Sequence, residues 1–285
     1  MREKALFGPG GNSESFYAAG KKSTKEAPAF LASIGLDAYE FEAGNGLTAG
    51  EATLAEIGEQ AALYGISMSY HTPYFISLSG IESEKRLKSI VYIKQSLRAA
   101  ALLGAHTVVV HTGSAAKITR EEAMRLAADT LYKTLEEVGD TGISIGLETM
   151  GKVNQLGTLD EVIRLCEMDA RLVPVVDFGH MNARECGGVF KTADDYRRVF
   201  DAIGTRLSDS VARNLHCHFS KIEWTGAGEK KHLTFADTVY GPDFEPLMEA
   251  IAHDGLTPTL ISESAGTQTE DAYMMKKCYE EDLKK

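Results

Sequence analysis

The stretch Val175-Val176-Asp177-Phe178-Gly179-His180 decides how this chain is read. Residues 172–176 form an apolar, β-branched run of the length expected for a buried strand. The run ends in a carboxylate, a glycine and a histidine, so two metal-capable side chains stand three residues apart at a strand's exit. An Asp beside a His is often only a hydrogen-bonded pair. Repetition gives this one weight, because the same order of apolar strand and then His or carboxylate recurs along the chain.

Upstream, 5–7 opens a strand that Gly8-Pro9-Gly10-Gly11 breaks, and 38–41 is a second strand. The third, 66–70, exits into His71; 107–110 exits into His111 and 143–147 into Glu148. Downstream, 215–219 carries His216 and His218, and 259–262 ends at Glu263. Between these strands lie helical patterns at 27–34, 52–63, 84–103, 120–138, 159–167, 193–203, 244–253 and 270–281, with Gly35, Gly65 and Gly104 just past helix ends. Eight strand–helix units in strict alternation predict a parallel sheet, and eight close into an α/β (β/α)8 TIM barrel. No Pro-, Gly- or Ser-rich linker divides the chain, so 1–285 is expected to be one TIM-barrel domain. The one long irregular piece is 223–243, after strand seven, and loops of that length are often functional.

Composition narrows the function. With 44% hydrophobic and 25% charged residues the 285-residue chain is ordinary for a globular protein. It has no apolar run of the roughly 20 residues a membrane span needs and no secretory leader at its N-terminus. The four cysteines are scattered rather than paired, which fits reduced thiols and a cytoplasmic location. A net charge of -11 argues against a generic nucleic-acid binder, although bound divalent ions would cancel carboxylates locally.

In a (β/α)8 barrel the active site lies at the C-terminal ends of the strands. His71, His111, Glu148, Asp177, His180, His216 and Glu263 all map there, roughly one strand–helix unit apart. Singly, each has an ordinary structural reading; together, ionisable groups converging on one mouth are costly to desolvate without a cation. Imidazoles mixed with carboxylates, without thiolates, suit Zn2+ or Mn2+. His218 lies two residues, about 6.6 Å, beyond His216 on the same face of its strand, as an extra ligand or a substrate contact. His232, in the long loop, can close over the site, whereas His106 and His253 read as structural.

The segments His71-Thr72-Pro73-Tyr74-Phe75-Ile76-Ser77-Leu78, His111-Thr112-Gly113-Ser114, Leu147-Glu148-Thr149, Asp177-Phe178-Gly179-His180 and Ile261-Ser262-Glu263 together resemble the endonuclease IV family of apurinic/apyrimidinic endonucleases. The resemblance runs in order from strand three to strand eight. It implies a zinc-dependent hydrolase with two or three zinc ions (or manganese) that cleaves DNA 5′ to abasic sites in base-excision repair. His71 and His111 would then hold one ion, with Glu148 as a bridge. Asp177, His216 and Glu263 would complete the next, and His180 and His232 would belong to a third. Tyr74 would lie near the abasic nucleotide, and Glu263 with Glu148 would be catalytic. A monomer bound to DNA containing abasic sites is expected.

The chain departs from that family at three places. Lys230 stands where the family has an Asp ligand, with Glu229 beside it as a substitute. Cys217-His218-Phe219 replaces Leu-Asn-Asp, and 8–20 lacks the family's DNA-contacting pattern. The alternative is a sugar isomerase or epimerase of the xylose-isomerase-like superfamily. It would use one divalent ion on Glu148, Asp177, His216 and Glu263, with the two glutamates as acid and base. A binding protein that keeps part of the cluster is a third reading. Lys221, Arg184 and Lys231 are candidates for a phosphate-facing rim.

Overall fold

The computed structural model describes residues 3–285. Seven parallel strands come first: β1 Leu6–Pro9, β2 Ala38–Glu42, β3 Ser67–His71, β4 Ala105–His111, β5 Ser144–Glu148, β6 Leu172–Asp177 and β7 His216–Phe219. A two-stranded antiparallel hairpin follows, β8 Ile222–Thr225 and β9 Gly228–His232, and then the last parallel strand, β10 Thr259–Ser262. The parallel strands pair in the order β1-β10-β7-β6-β5-β4-β3-β2. The two ends of that sheet meet through a parallel bridge between Gly10 and Glu40, and Asp37 N donates to Phe7 O at 2.9 Å. The eight strands thus curl into the barrel that their alternation with helices predicts.

Local chemistry sets the connections. The helices Glu51–Tyr64 and Ser83–Leu103 end at Gly65 and Gly104, both left-handed (φ 68° and 67°), where a side chain would be strained. The helix Leu159–Cys166 starts at a reciprocal capping box, with Thr158 Oγ1 accepting from Glu161 N and Glu161 Oε2 accepting from Thr158 N. Three short helices lie outside the patterns read from the sequence: Glu14–Ala18, Asp209–Arg213 and Phe178–Arg184, the last beginning directly at the end of β6, because Asp177 Oδ1 caps it by accepting from His180 N at 2.7 Å. Part of the long irregular stretch is also ordered, as the β8–β9 hairpin.

The strand pleat divides the side chains between two environments. Phe7, Tyr39, Met68, Tyr70, Val108, Val110, Leu147, Val176, Phe219 and Leu260 are buried in the layer between strands and helices. The alternate positions face the barrel axis, and many are polar: Glu40, Ser69, His71, Glu148, Asp177, His216 and His218 are all buried. No helix among the described residues is long and apolar enough to cross a membrane.

Closure depends on Gly8, where a Cβ would sit 1.8 Å from the carbonyl oxygen of Ala38 on β2. Gly8→Ala must push the first and second strands apart, and overpacking of this kind costs about 2–3 kcal/mol. A thermal melt should show the variant losing roughly 5–10 °C; an unchanged melting temperature would mean that β1 is not held against β2.

Candidate metal centre

The strand register explains why the ionisable groups meet. His111 on β4 pairs with Glu148 on β5, Asp177 on β6 pairs with His218 on β7, and His218 pairs with Ile261, two residues before Glu263. His71 ends β3 opposite Glu42 on β2. Besides two groups that share Glu40 (with His216 and His218, and with Glu42 and Glu263), three groups of potential ligand atoms result, each with its atoms within 4.8 Å of one another: His71, His111 and Glu148; Glu148, Asp177, His218 and Glu263; and His180, His232 and Glu263. Glu148 belongs to the first two and Glu263 to the last two. All residues of these three groups but the deeper Asp177 and His218 line an open cavity of about 850 Å3 at the C-terminal mouth of the barrel.

Glu148 lies at the centre. Its Oε2 is 3.5 Å from His71 Nε2 and 3.1 Å from His111 Nε2, while its Oε1 is 3.0 Å from His218 Nδ1 and 3.4 Å from His180 Nδ1. Local carbonyls set the ring orientations. His71 Nδ1 is 2.9 Å from Thr72 O and His180 Nδ1 is 2.9 Å from Thr149 O, so each ring donates there and turns Nε2 inward. Tyr74, 59% exposed, stacks on His111 with ring centroids 5.7 Å apart and forms one wall of the mouth.

The electrostatics are those of groups packed more closely than their charges tolerate alone. Burial would raise the Glu148 carboxyl, but the His218 charge and hydrogen bonds from His111, His180 and His218 hold it well below the usual carboxylate range. Glu263 goes the other way, pushed up by burial and by the negative charges of Glu148, Asp177 and Glu42 against the pull of His218. Burial also lifts Glu42 to about 7, against the charge of His71. Burial alone would lower His71, yet the charges of Glu42, Glu148 and Glu40 raise it to about 10. Buried Glu148 Oε2 and Asp177 Oδ2 have no well-directed hydrogen-bond donor. Orphaned carboxylate oxygens facing imidazole nitrogens are a donor set that suits a divalent cation.

Two sequence expectations change. His216, expected beside Asp177 and Glu263, is the first residue of β7 and lies one layer deeper, with its Nε2 2.9 Å from Glu40 Oε2. His218 instead joins Glu148, Asp177 and Glu263. The reason is register, since His216 pairs with Val175 and Thr259, below the strand ends. Lys230 does not face the site. Glu223 pairs with Lys231 and Trp224 with Glu229, so Lys230 is the extra residue of a bulge, and its Nζ reaches Glu223 Oε1 at 2.5 Å. The bulge lets Glu229 and His232, three residues apart, both point inward, with Glu229 Oε2 3.5 Å from His180 Nε2.

The proposed cationic rim is taken up by structural contacts. Lys221 Nζ donates to Asp237 O and pairs with Asp243, and Lys231 pairs with Glu223. The Arg184 guanidinium donates to the carbonyls of Met150, Lys152, Val153 and Gln155, fixing the loop after β5 against which the hairpin packs. The sequence reading missed Glu40, Glu42 and the placement of Glu229. The signal for the first two was present, in the alternation Tyr39-Glu40-Phe41-Glu42 at a strand exit.

The profile of the xylose isomerase-like TIM barrel family matches residues 28–278. An uncharacterised protein of Methanocaldococcus jannaschii is 27% identical over 230 residues, covering 80% of each chain. The probable endonuclease 4 of Mycoplasma genitalium is 31% identical over 191 residues, 64% of this chain and 61% of that relative. Among solved structures, endonuclease IV of Thermus thermophilus superposes with a TM-score of 0.71 at 20% identity, over 98% of this chain and 99% of its own. A D-tagatose 3-epimerase-like protein gives 0.72 at 19%, over 98% and 97%. At those identities the two structures share the fold and say nothing further.

Because the charges of Glu42, Glu148 and Glu40 raise His71 to about 10, its ring is protonated at neutral pH, and a cation must displace that proton. Zinc loading should therefore release protons at pH 7 and weaken as pH falls. Calorimetry in buffers of differing ionisation enthalpy measures this; a buffer-independent heat would contradict it.

Proposed function

Because the chain belongs to the xylose isomerase-like TIM barrel family, we propose that it is a metal-dependent phosphodiesterase that hydrolyses the DNA backbone 5′ to abasic sites. The observation that carries this reading is the three contiguous donor groups joined by Glu148 and Glu263. A one-ion sugar enzyme needs only one such group. The kinship to relatives named as probable endonuclease 4 supports it as well.

In this reading His71, His111 and Glu148 hold the first ion; Glu148, Asp177, His218 and Glu263 the second; and His180, His232 and Glu263 the third, with Glu229 closing the set. Divalent ions held there would supply the Lewis acidity that activates water and offsets phosphate charge. Glu263, whose carboxyl is pushed up by burial and by the negative Glu148 and Asp177, would ionise once cations offset those charges, and would then orient the water and accept its proton at a carboxylate oxygen. The water oxygen bonds to phosphorus as the bond from phosphorus to the 3′ oxygen breaks; the departing oxygen takes a proton from solvent and Glu263 returns its own to solvent, leaving a 3′ hydroxyl and a 5′ phosphate on the abasic sugar. Tyr74 offers an exposed aromatic face for the flanking nucleotide.

One set of observations favours a sugar epimerase as the second reading. The chain is acidic, and the lysines and arginine expected at the rim are paired within the fold, which leaves Lys152 as the one cation lining the cavity among the described residues. There Glu148 and Glu263 would exchange a carbon-bound proton on either face of a sugar.

The deciding experiment is incision of a duplex carrying one stable abasic analogue, with zinc or manganese supplied. Wild-type protein should cut 5′ to the lesion, and Glu263→Gln should be slower by about 10³-fold. A folded, metal-loaded protein that leaves the duplex intact but interconverts a keto sugar at C3 would replace the nuclease reading with the epimerase one.

A further inference from the structure

Glu40 lies on β2 directly below the cluster and is fully buried. Its Oε2 accepts from Ser69 Oγ at 2.7 Å and from His216 Nε2 at 2.9 Å. Its Oε1 is 2.9 Å from His218 Nε2, an ion-pair distance whose direction is off that of a good hydrogen bond, and both of those atoms are buried without a hydrogen-bond partner. The opposite ring nitrogen of His218, Nδ1, faces Glu148 Oε1 at 3.0 Å and Glu263 Oε1 at 3.3 Å. His218 thus stands between two sets of carboxylates, and a neutral imidazole carries one ring proton.

Two arrangements satisfy these distances. An additional ion among Glu40, His216 and His218 would require His218 to give both nitrogens to cations, as an imidazolate, while Glu40 Oε2 already receives two donors. With the proton on Nε2 instead, a small turn of the His218 ring brings that N–H into line with Glu40 Oε1, already 2.9 Å away, and aims the Nδ1 lone pair at the space among Glu148, Asp177 and Glu263. A ligating histidine commonly donates its second nitrogen to a carboxylate, which fixes its tautomer and raises its basicity.

We propose that Glu40 is a positioning residue that locks His218 as the Nε2–H tautomer and so presents Nδ1 to the metal centre. His216 and Ser69 hold Glu40 in turn, which gives the deeper histidine a supporting role. The proposal rests on the metal-centre reading above, and it adds a residue from a strand that supplies none of the ligands assigned there.

Zinc binding to wild type and to Glu40→Gln, by competition with a chromogenic chelator, separates the outcomes. The isosteric variant should keep the same number of ions and bind one of them about 10–100-fold more weakly. Equal affinity in both proteins would overturn the proposal, as would an extra wild-type ion that the variant loses. Wild type that binds no ion would overturn the metal-centre reading together with it. A measurement on wild type decides the matter even if the variant fails to fold. With cadmium-113 bound and histidine nitrogens labelled, His218 should show coupling at Nδ1 and a retained proton on Nε2. Coupling at Nε2 would sink the idea, whatever the incision assay gives.

Discussion

The mouth of this barrel depends on one buried carboxylate. Glu148 is touched by imidazoles from β3, β4 and β7 and from the helix after β6. A carboxylate taken out of water is stable only if paired, and an imidazole packed among carboxylates is drawn toward its charged form. Glu148 and the imidazoles of His71, His180 and His218 therefore hold one another in ionisation states that none would keep alone, whereas burial lowers His111. Divalent cations would replace those protons with a stronger and better-directed charge, at positions the strand register has already set.

Below that layer the barrel interior departs from the usual branched aliphatic filling. Glu40, Ser69 and His216 form a hydrogen-bonded polar layer instead. Such a network is tolerable only when its members are satisfied, and it trades some hydrophobic stabilisation for fixed geometry. Fixed geometry is what a ligand on β7 needs, because a ring free to rotate about χ2 presents either nitrogen.

The far wall is assembled by irregular chain. Arg184 ties down the loop after β5 through four carbonyls, and the β8–β9 hairpin rests on that loop through the Lys152–Gly228 bridge. Glu229 and His232 are carried in by this hairpin rather than by a barrel strand. Arg184, Lys221 and Lys231 serve this construction, which leaves Lys152 as the one lysine or arginine lining the cavity among the described residues.

Much of this was legible in the chain itself. The alternation of strand and helix patterns predicts the barrel, and His71, His111, Glu148, Asp177 and Glu263 each follow an apolar run, so strand polarity alone brings them to one end. Other features needed three dimensions. His216 and His218 share one face, and only the register against β6 and β10 decides which reaches the ligand layer. Glu40 and Glu42 look like ordinary strand charges until the barrel closes and turns them onto its axis. Lys230 occupies a ligand position when residues are counted along the chain, and a one-residue bulge turns it out to Glu223 and brings Glu229 in. Periodicity along a strand determined which side chains share a face. How far along the barrel axis each one lies is a relation between strands, fixed by pairing and bulges that no single segment encodes.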